Sequence, residues 1–211
     1  MQSATGEVAD AAAMRRAAHA AGAITVVDAT QAIGWLPFDA DGGDLVVCSA
    51  YKWLCSPRGT VFLAHHSTLA DRHPDFAARL KPVAAGWFAG DVVHDSYYGL
   101  PIRLARDARR FDISPAWHCW VGTAPALQLL AAVGVDAIGR HNVGLANQFL
   151  TALGEQPSNS AIVSVPAEPT AVTRLTEAGV RFGMRAGRVR VAFHLYSTEG
   201  DVALAVDGLR G

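Results

Sequence analysis

Lysine is nearly missing from this chain: Lys52 and Lys81 stand against sixteen arginines in 211 residues. Cysteine is scarce as well. Cys48, Cys55 and Cys119 make neither an even disulfide set nor a metal-type cluster, which excludes a disulfide-stapled fold and fits a reducing cytoplasm. No charge of one sign dominates. The formal net charge is −1 and the arginines are scattered, so nucleic acid is a poor partner. No apolar run reaches the length of a membrane span and no secretory leader pattern opens the chain, so no membrane association is expected. No Gly-x-Gly-x-x-Gly follows a strand, which argues against a dinucleotide site; Gly42-Gly43 precedes a strand instead. What remains is 51 % apolar and 18 % charged, ample for a substantial core and unlike a disordered chain.

Along the chain, Gln2 to Val8 reads as a strand end and its exit loop, and implies further sequence upstream. Asp10 is a plausible N-cap for an alanine-rich helix closed by Gly22. Ala23–Asp28 and Asp44–Cys48 are continuous apolar runs rich in β-branched residues, as expected for parallel strands covered on both faces. A loop through Gly34, Pro37 and Gly42-Gly43 joins them, and Thr60–Ala64 reads as a third strand. The stretch from Ser67 to Pro115 is long, aromatic and aperiodic, a pattern tied to functional or interfacial loops. Helices over 116–132 and 135–153 follow, then a linker at 154–159. A strand (161–165), a helix (169–178), two short strands (180–184 and 188–193) and a last helix from Thr198 close the chain. This order predicts an α/β fold with an open, mostly parallel sheet in residues 1–130 and a small α+β domain in 131–211.

In such sheets ligands sit outside the carboxyl ends of the strands, where Asp28 and Ser49 to Lys52 fall. A lysine amine and a carboxylate in that setting are the pair a pyridoxal phosphate (PLP) enzyme needs. The amine bonds to the cofactor aldehyde, and the carboxylate keeps the pyridine nitrogen protonated. Alone, Lys52 reads as a surface lysine and Asp28 as a turn residue. Together, with Tyr51, Trp53 and Ser49 beside the lysine and Gln31 three residues after the aspartate, the chemical reading prevails. Gln31 could then hydrogen-bond the cofactor's ring oxygen, and the hydroxyls of Ser49 and Tyr51 could meet its phosphate. Arg188 and Arg190 alternate onto one face of a strand, suited to bidentate capture of a carboxylate or to a solvent-facing edge. His94, His118, His141 and His194 lack metal spacing and read as structural or surface residues, and the cysteines as small buried ones.

Residues 26–63, from VVDATQ through SAYKWLCSPRG to TVFL, resemble the cofactor-lysine region of class V aminotransferase-fold enzymes. That group includes cysteine desulfurases, kynureninases, isopenicillin N epimerase-like proteins and small-molecule aminotransferases. RVRVAFHLYSTEGDVALAV is similar to the family's closing motif. The resemblance implies fold type I, with part of the large PLP-binding domain and a small C-terminal domain. It implies Lys52 as the cofactor lysine, Asp28 as the ring-nitrogen partner, Gln31 at the ring oxygen, and Ser49 and Tyr51 at the phosphate. Arg190 becomes the clamp on the substrate carboxylate, with Arg185 as a second candidate, and Trp87 reaches the cofactor phosphate of a neighbouring subunit in a homodimer. The substrate class is an amino acid, processed by transamination or by β-elimination of a C–S bond, as in an actinobacterial branch that includes the ergothioneine C–S lyase. The alternative is a catalytically incomplete piece, since family members run to about twice this length and carry the other half of the pocket N-terminally. Tyr51 stands where desulfurases have histidine, and no cysteine lies near 185–192 to serve as their nucleophile. Ser197 replaces the usual asparagine after Tyr196, which implies a change of helix cap only.

Overall fold

The computed structural model of the protein describes residues 1–39 and 42–211; the remainder of the expected loop near Gly42, at residues 40 and 41, lies outside them. The first helix, α1 (Ala11–Ala20), is capped as expected: the Asp10 carboxylate accepts the Ala13 N–H at 2.8 Å. It leads to β1 (Val26–Asp28), which pairs in parallel with β2 (Leu45–Ser49), Asp28 standing opposite Val47. β3 (Val61–His65) returns antiparallel to β2, with Ser49 opposite Val61. The reversal follows from the connection. Only residues 50–60 separate the two strands, too few for the crossover that a parallel pairing requires.

The faces of this sheet are less covered than continuous apolar runs suggest. Val26, Val61 and Leu63 are 64 %, 56 % and 49 % exposed, so one apolar side of β1 and β3 is open in this chain. The stretch expected to be aperiodic holds two single-turn helices, α2 (Leu69–Arg72) and α3 (Phe76–Arg79), and three short 3-10 turns. Next come α4 (Trp117–Val133) and α5 (Val135–Ala152), bent by 80° about Gly134, whose φ of 88° favours glycine. No single helix among the described residues is long and apolar enough to cross a membrane.

β4 (Ile162–Val165), β5 (Gly183–Arg185) and β6 (Arg188–Ala192) form a second, antiparallel sheet in the order β4-β6-β5. The helices α6 (Pro169–Glu177) and α7 (Glu199–Arg210) belong to this half. Proline at the first position of α6 costs no hydrogen bond. Thr198 and Asp201 form a reciprocal capping box that starts α7. Ser197 is therefore not the cap: its hydroxyl accepts the His194 backbone N–H at 3.0 Å.

Two apolar cores result, and α5 enters both. Ile138 packs with Trp35, Cys48, Ala50, Trp53, Leu54 and Ile162, while Leu145, Phe149 and Leu150 pack with Val163, Leu175, Val189 and Val206. At the far end of β2 from the strand tips, Asp44 is fully buried beneath Arg15, His19 and Arg72. It also accepts the Thr25 N–H at 2.8 Å, tying α1, β1, β2 and α2 to one carboxylate. Burial opposes ionisation there, yet the hydrogen bonds of Thr25, His19 and Arg72 outweigh it and hold the Asp44 carboxyl far below the usual range.

A carboxylate depressed in the folded state adds stability above its unfolded value, and that stability disappears as the pH falls. Resistance to urea unfolding is therefore expected to weaken as the pH drops below about 4. Asp44→Ala should cost about 3 kcal/mol near neutrality by stranding its cations, and should flatten the acid limb of the stability curve. An unchanged acid limb in that variant would remove Asp44 from this role.

Candidate functional site

Because β1 and β2 run in parallel, Asp28 and Ser49 end side by side at their carboxyl tips. Thr30 joins them. Its N–H donates to Asp28 Oδ1 at 2.9 Å, its hydroxyl bonds the same carboxylate, and its Oγ1 accepts the Ser49 N–H at 3.0 Å. The Thr30 hydroxyl is the main reason the Asp28 carboxyl titrates below its ordinary value; burial opposes it, and the nearby Lys52 charge adds to it. An aspartate held as an anion beside a lysine is what the chemistry of a protonated ring nitrogen demands.

Lys52 lies half-buried in a loop closed at its base by Ala50 N–H to the Thr60 carbonyl (3.1 Å) and Ser56 N–H to the Ala50 carbonyl (3.2 Å). Behind it, the buried hydroxyls of Ser56, Thr60 and Thr123 bond one another, and Thr123 Oγ1 donates to the Cys119 carbonyl at 2.7 Å. This pins the lysine loop to α4. Tyr51 also faces the lysine: the Lys52 Nζ is 5.6 Å from its ring centroid and the Arg58 guanidinium carbon 4.3 Å.

Gln31 is more occupied than its sequence reading implies. Its Oε1 accepts the Trp53 indole N–H at 3.0 Å, its Nε2 donates to Ser3 Oγ at 3.1 Å, and its carbonyl accepts the Trp35 N–H at 2.9 Å. One N–H of the amide remains for a ligand. Gly34 lets the two segments meet, since a Cβ there would lie 2.9 Å from the Trp53 carbonyl oxygen.

On the second sheet, Arg188 is committed to its neighbour strand, donating to Ser164 Oγ (3.2 Å) and to the Ser164 carbonyl (2.8 Å). Arg190 differs. It is half-buried, and its buried Nε has no hydrogen-bond partner among the described residues. Burial pushes its pKa down, and the Arg185 charge pushes the same way. Two neighbouring cations, one with an unanswered donor, form an anion-binding arrangement. Arg185 is exposed and donates to the Met184 carbonyl at 2.7 Å.

Asp28, Gln31, Ser49, Tyr51 and Lys52 thus share one corner, and Arg185 and Arg190 share another. Trp87 sits in a separate aromatic group with Phe88, Tyr97 and Trp117. Arg109 fixes the segment beside it by donating to the carbonyls of Phe88, Gly90 and Asp91. The sequence points to neither Thr30 nor Ser3, and it marks His194 only as a structural or surface residue. The first was detectable as the hydroxyl between Asp28 and Gln31, but the other two depend on tertiary contacts. Cys55, expected to be buried, is exposed in a left-handed turn (φ 52°), with His194 Nε2 at 3.6 Å from its sulfur. Burial pushes its thiol pKa up, the opposite of an activated nucleophile.

Residues 1–181 match the Aminotransferase class-V family. An uncharacterized aminotransferase of Bacillus subtilis, YcbU, is 31 % identical over 96 % of this chain and 55 % of its own length. Among solved structures, a cysteine desulfurase from Thermococcus onnurineus superposes with a TM-score of 0.81 at 18 % identity, over 98 % of this chain and 56 % of that one. The desulfurase CsdA of Escherichia coli gives 0.76 at 22 %, over 99 % and 56 %. A ureidoglycine-glyoxylate aminotransferase from Bacillus subtilis gives 0.66 at 19 %, over 98 % and 56 %. The fold is that of fold-type I PLP-dependent transferases, and the chain spans a little over half the length of these relatives.

Replacing Thr30 by valine keeps the shape and removes the hydroxyl. The Asp28 carboxyl should then titrate at a higher pH, readable by carboxyl-carbon NMR, while Thr30→Ser should restore it. An unmoved midpoint in Thr30→Val would refute the assignment.

Proposed function

The chain belongs to the class V aminotransferase family, and from that premise we propose that it carries the lysine-bearing part of a PLP enzyme acting on an amino acid. One observation supports this above the others: Asp28, held as an anion by Thr30, stands beside Lys52 at the tips of two parallel strands. The cofactor, when bound, supplies an electron sink for the bond broken at the substrate α-carbon. The protein's own groups do the rest. Lys52 would hold the cofactor and, as a free amine, would move the proton at the substrate α-carbon. Asp28 would keep the ring nitrogen protonated, Gln31 would offer its remaining N–H to the ring oxygen, and Ser49 and Tyr51 would hold the phosphate. Arg190, supported by Arg185, takes the substrate carboxylate through the donor that nothing else among the described residues answers.

These roles serve transamination and β-elimination of a C–S bond alike. Residues 1–130 contribute to the cofactor-binding domain and 131–211 form the small domain. The reading includes a homodimer, with Trp87 reaching the neighbour's cofactor phosphate. The stretch Trp117–Val133 has no charged residue, yet it exposes Trp117, Val121 and Leu129, as a surface awaiting a partner would. The three cysteines are free, in keeping with a cytoplasmic setting.

A second reading rests on the open side of β1 and β3 and on the 55 % share of the relative's length: this piece by itself holds only part of the pocket. One experiment separates the two. Protein mixed with PLP should develop the visible absorption of a lysine-bound cofactor, and borohydride should fix one cofactor on Lys52. Lys52→Ala should lose both signals, and a wild-type chain lacking both is the incomplete piece. In an active protein, Arg190→Ala should raise KM for the amino acid at least roughly tenfold, the loss expected for a charged hydrogen bond.

A further inference from the structure

The two corners of the site are joined by a stack of rings. His194 follows the end of β6 and is 7 % exposed. Its imidazole lies nearly parallel to the Trp53 indole, with centroids 5.1 Å apart at 11°. The Tyr196 ring lies on the imidazole as well, at 4.6 Å and 10°. Trp53 is the residue after Lys52, and its N–H is fixed on Gln31. His194 lies four residues beyond Arg190 along the same chain segment. The orientation of the imidazole is also defined. Its Nδ1 accepts the Leu195 N–H at 2.8 Å, so in the neutral ring the hydrogen sits on Nε2, which points to the Cys55 sulfur at 3.6 Å. Ser197 Oγ holds the His194 backbone N–H. Every anchor of the ring thus belongs either to the lysine loop or to the segment after β6.

We propose that His194 is a positioning residue whose flat ring, clasped between Trp53 and Tyr196, sets the distance between Lys52 and Arg190 and so the fit of a substrate that must reach both. This rests on the roles given above to those two residues. Stacked rings resist sliding apart less than they resist separation or tilt, so the stack fixes a spacing across two segments that no backbone ladder connects. A carboxylate clamp displaced by about 1 Å loses much of its effect, which gives this spacing its catalytic weight.

The test uses two probes on PLP-loaded protein. Amino-oxyacetate displaces Lys52 from the cofactor carbonyl carbon and offers a carboxylate to Arg190; O-methylhydroxylamine makes the same C=N bond and releases the same lysine amine, but has no carboxylate. The ratio of their second-order rates reads the Lys52-to-Arg190 fit. His194→Leu, which fills the volume without a flat ring, should lower that ratio roughly tenfold or more, as Arg190→Ala does. The rate with O-methylhydroxylamine should stay unchanged, and His194→Phe should keep the wild-type ratio. The double variant His194→Leu with Arg190→Ala should fall no further than either alone.

If Arg190→Ala loses the carboxylate preference and His194→Leu keeps it, the positioning role is wrong while the functional reading stands. If Arg190→Ala itself keeps the preference, it is the reading of Arg190 that fails, and the proposal with it. Loss of the preference in His194→Phe as in His194→Leu would overturn the ring-stack account. The cofactor-free protein supplies an independent readout, since the ring clasp exists without the cofactor. There, His194→Leu should speed amide exchange in residues 50–56 and 190–195 together, leaving α6 unaltered. Faster exchange in only one of those segments overturns the proposal whatever the cofactor does.

Discussion

The Trp53 indole is the contact on which the arrangement of this chain depends. It is 4 % exposed, directly after Lys52, and it touches three residues from two separate parts of the sequence: Gln31 through its N–H, Trp35 by a tilted ring contact at 5.5 Å, and His194 by stacking. Burying so large a ring gives a non-directional gain. The hydrogen bond to Gln31 makes it directional, because an indole N–H left unpaired in this core would cost about 1–3 kcal/mol. The lysine therefore cannot change its position without disturbing the segment after β1 and the segment after β6. Rigidity around Lys52 comes from core packing rather than from the lysine's own bonds.

Much of this architecture could be read in the sequence where the signal is local. Asp10 as a cap, the glycine between α4 and α5, and the alternation in Arg188–Ala192 each follow from short-range chemistry, and each stands close to where expected. The common end of Asp28 and Ser49 was readable too, because two consecutive buried runs with a helix before the first imply parallel neighbours. Other features were not. The reversal of β3 depends on the length and closure of the 50–60 loop, which apolar patterning does not encode. Choosing Thr198 over Ser197 as the cap needed the backbone angles. The partners of His194 in the lysine loop, Cys55 and Trp53, lie about 140 residues away, and no periodicity links them. Its place in a ring stack is a property of the fold alone.

The open side of β1 and β3 shows what a continuous apolar strand means in a chain of this length. Runs such as Val26-Val27 and Val61-Phe62-Leu63 are suited to cover on both faces, yet Val26 and Val61 keep more than half of their surface in contact with solvent and Leu63 just under half. The cofactor corner opens beside the same sheet, since Asp28 is the last residue of β1. A partner or segment that covered that face would also wall the corner at Asp28, and binding only to the folded form, it would stabilise this half.

Two of the solved structures of like fold are desulfurases, and the second sheet of this chain bears on the role proposed for Arg190. β5 and β6 are joined by two residues only, Ala186 and Gly187, both in the left-handed region at φ 49° and 75°. That is a tight hairpin turn, whose twist matches the strands it joins. A mobile loop able to carry a nucleophilic cysteine to a substrate sulfur needs length and freedom, and this turn has neither. No cysteine lies beyond Cys119 in any case. What the short hairpin does provide is a stiff mount for Arg190, with Arg185 across from Arg188 and Gly183 across from Arg190. A hairpin this short holds Arg190 still, which is what the carboxylate-binding role proposed for it would require.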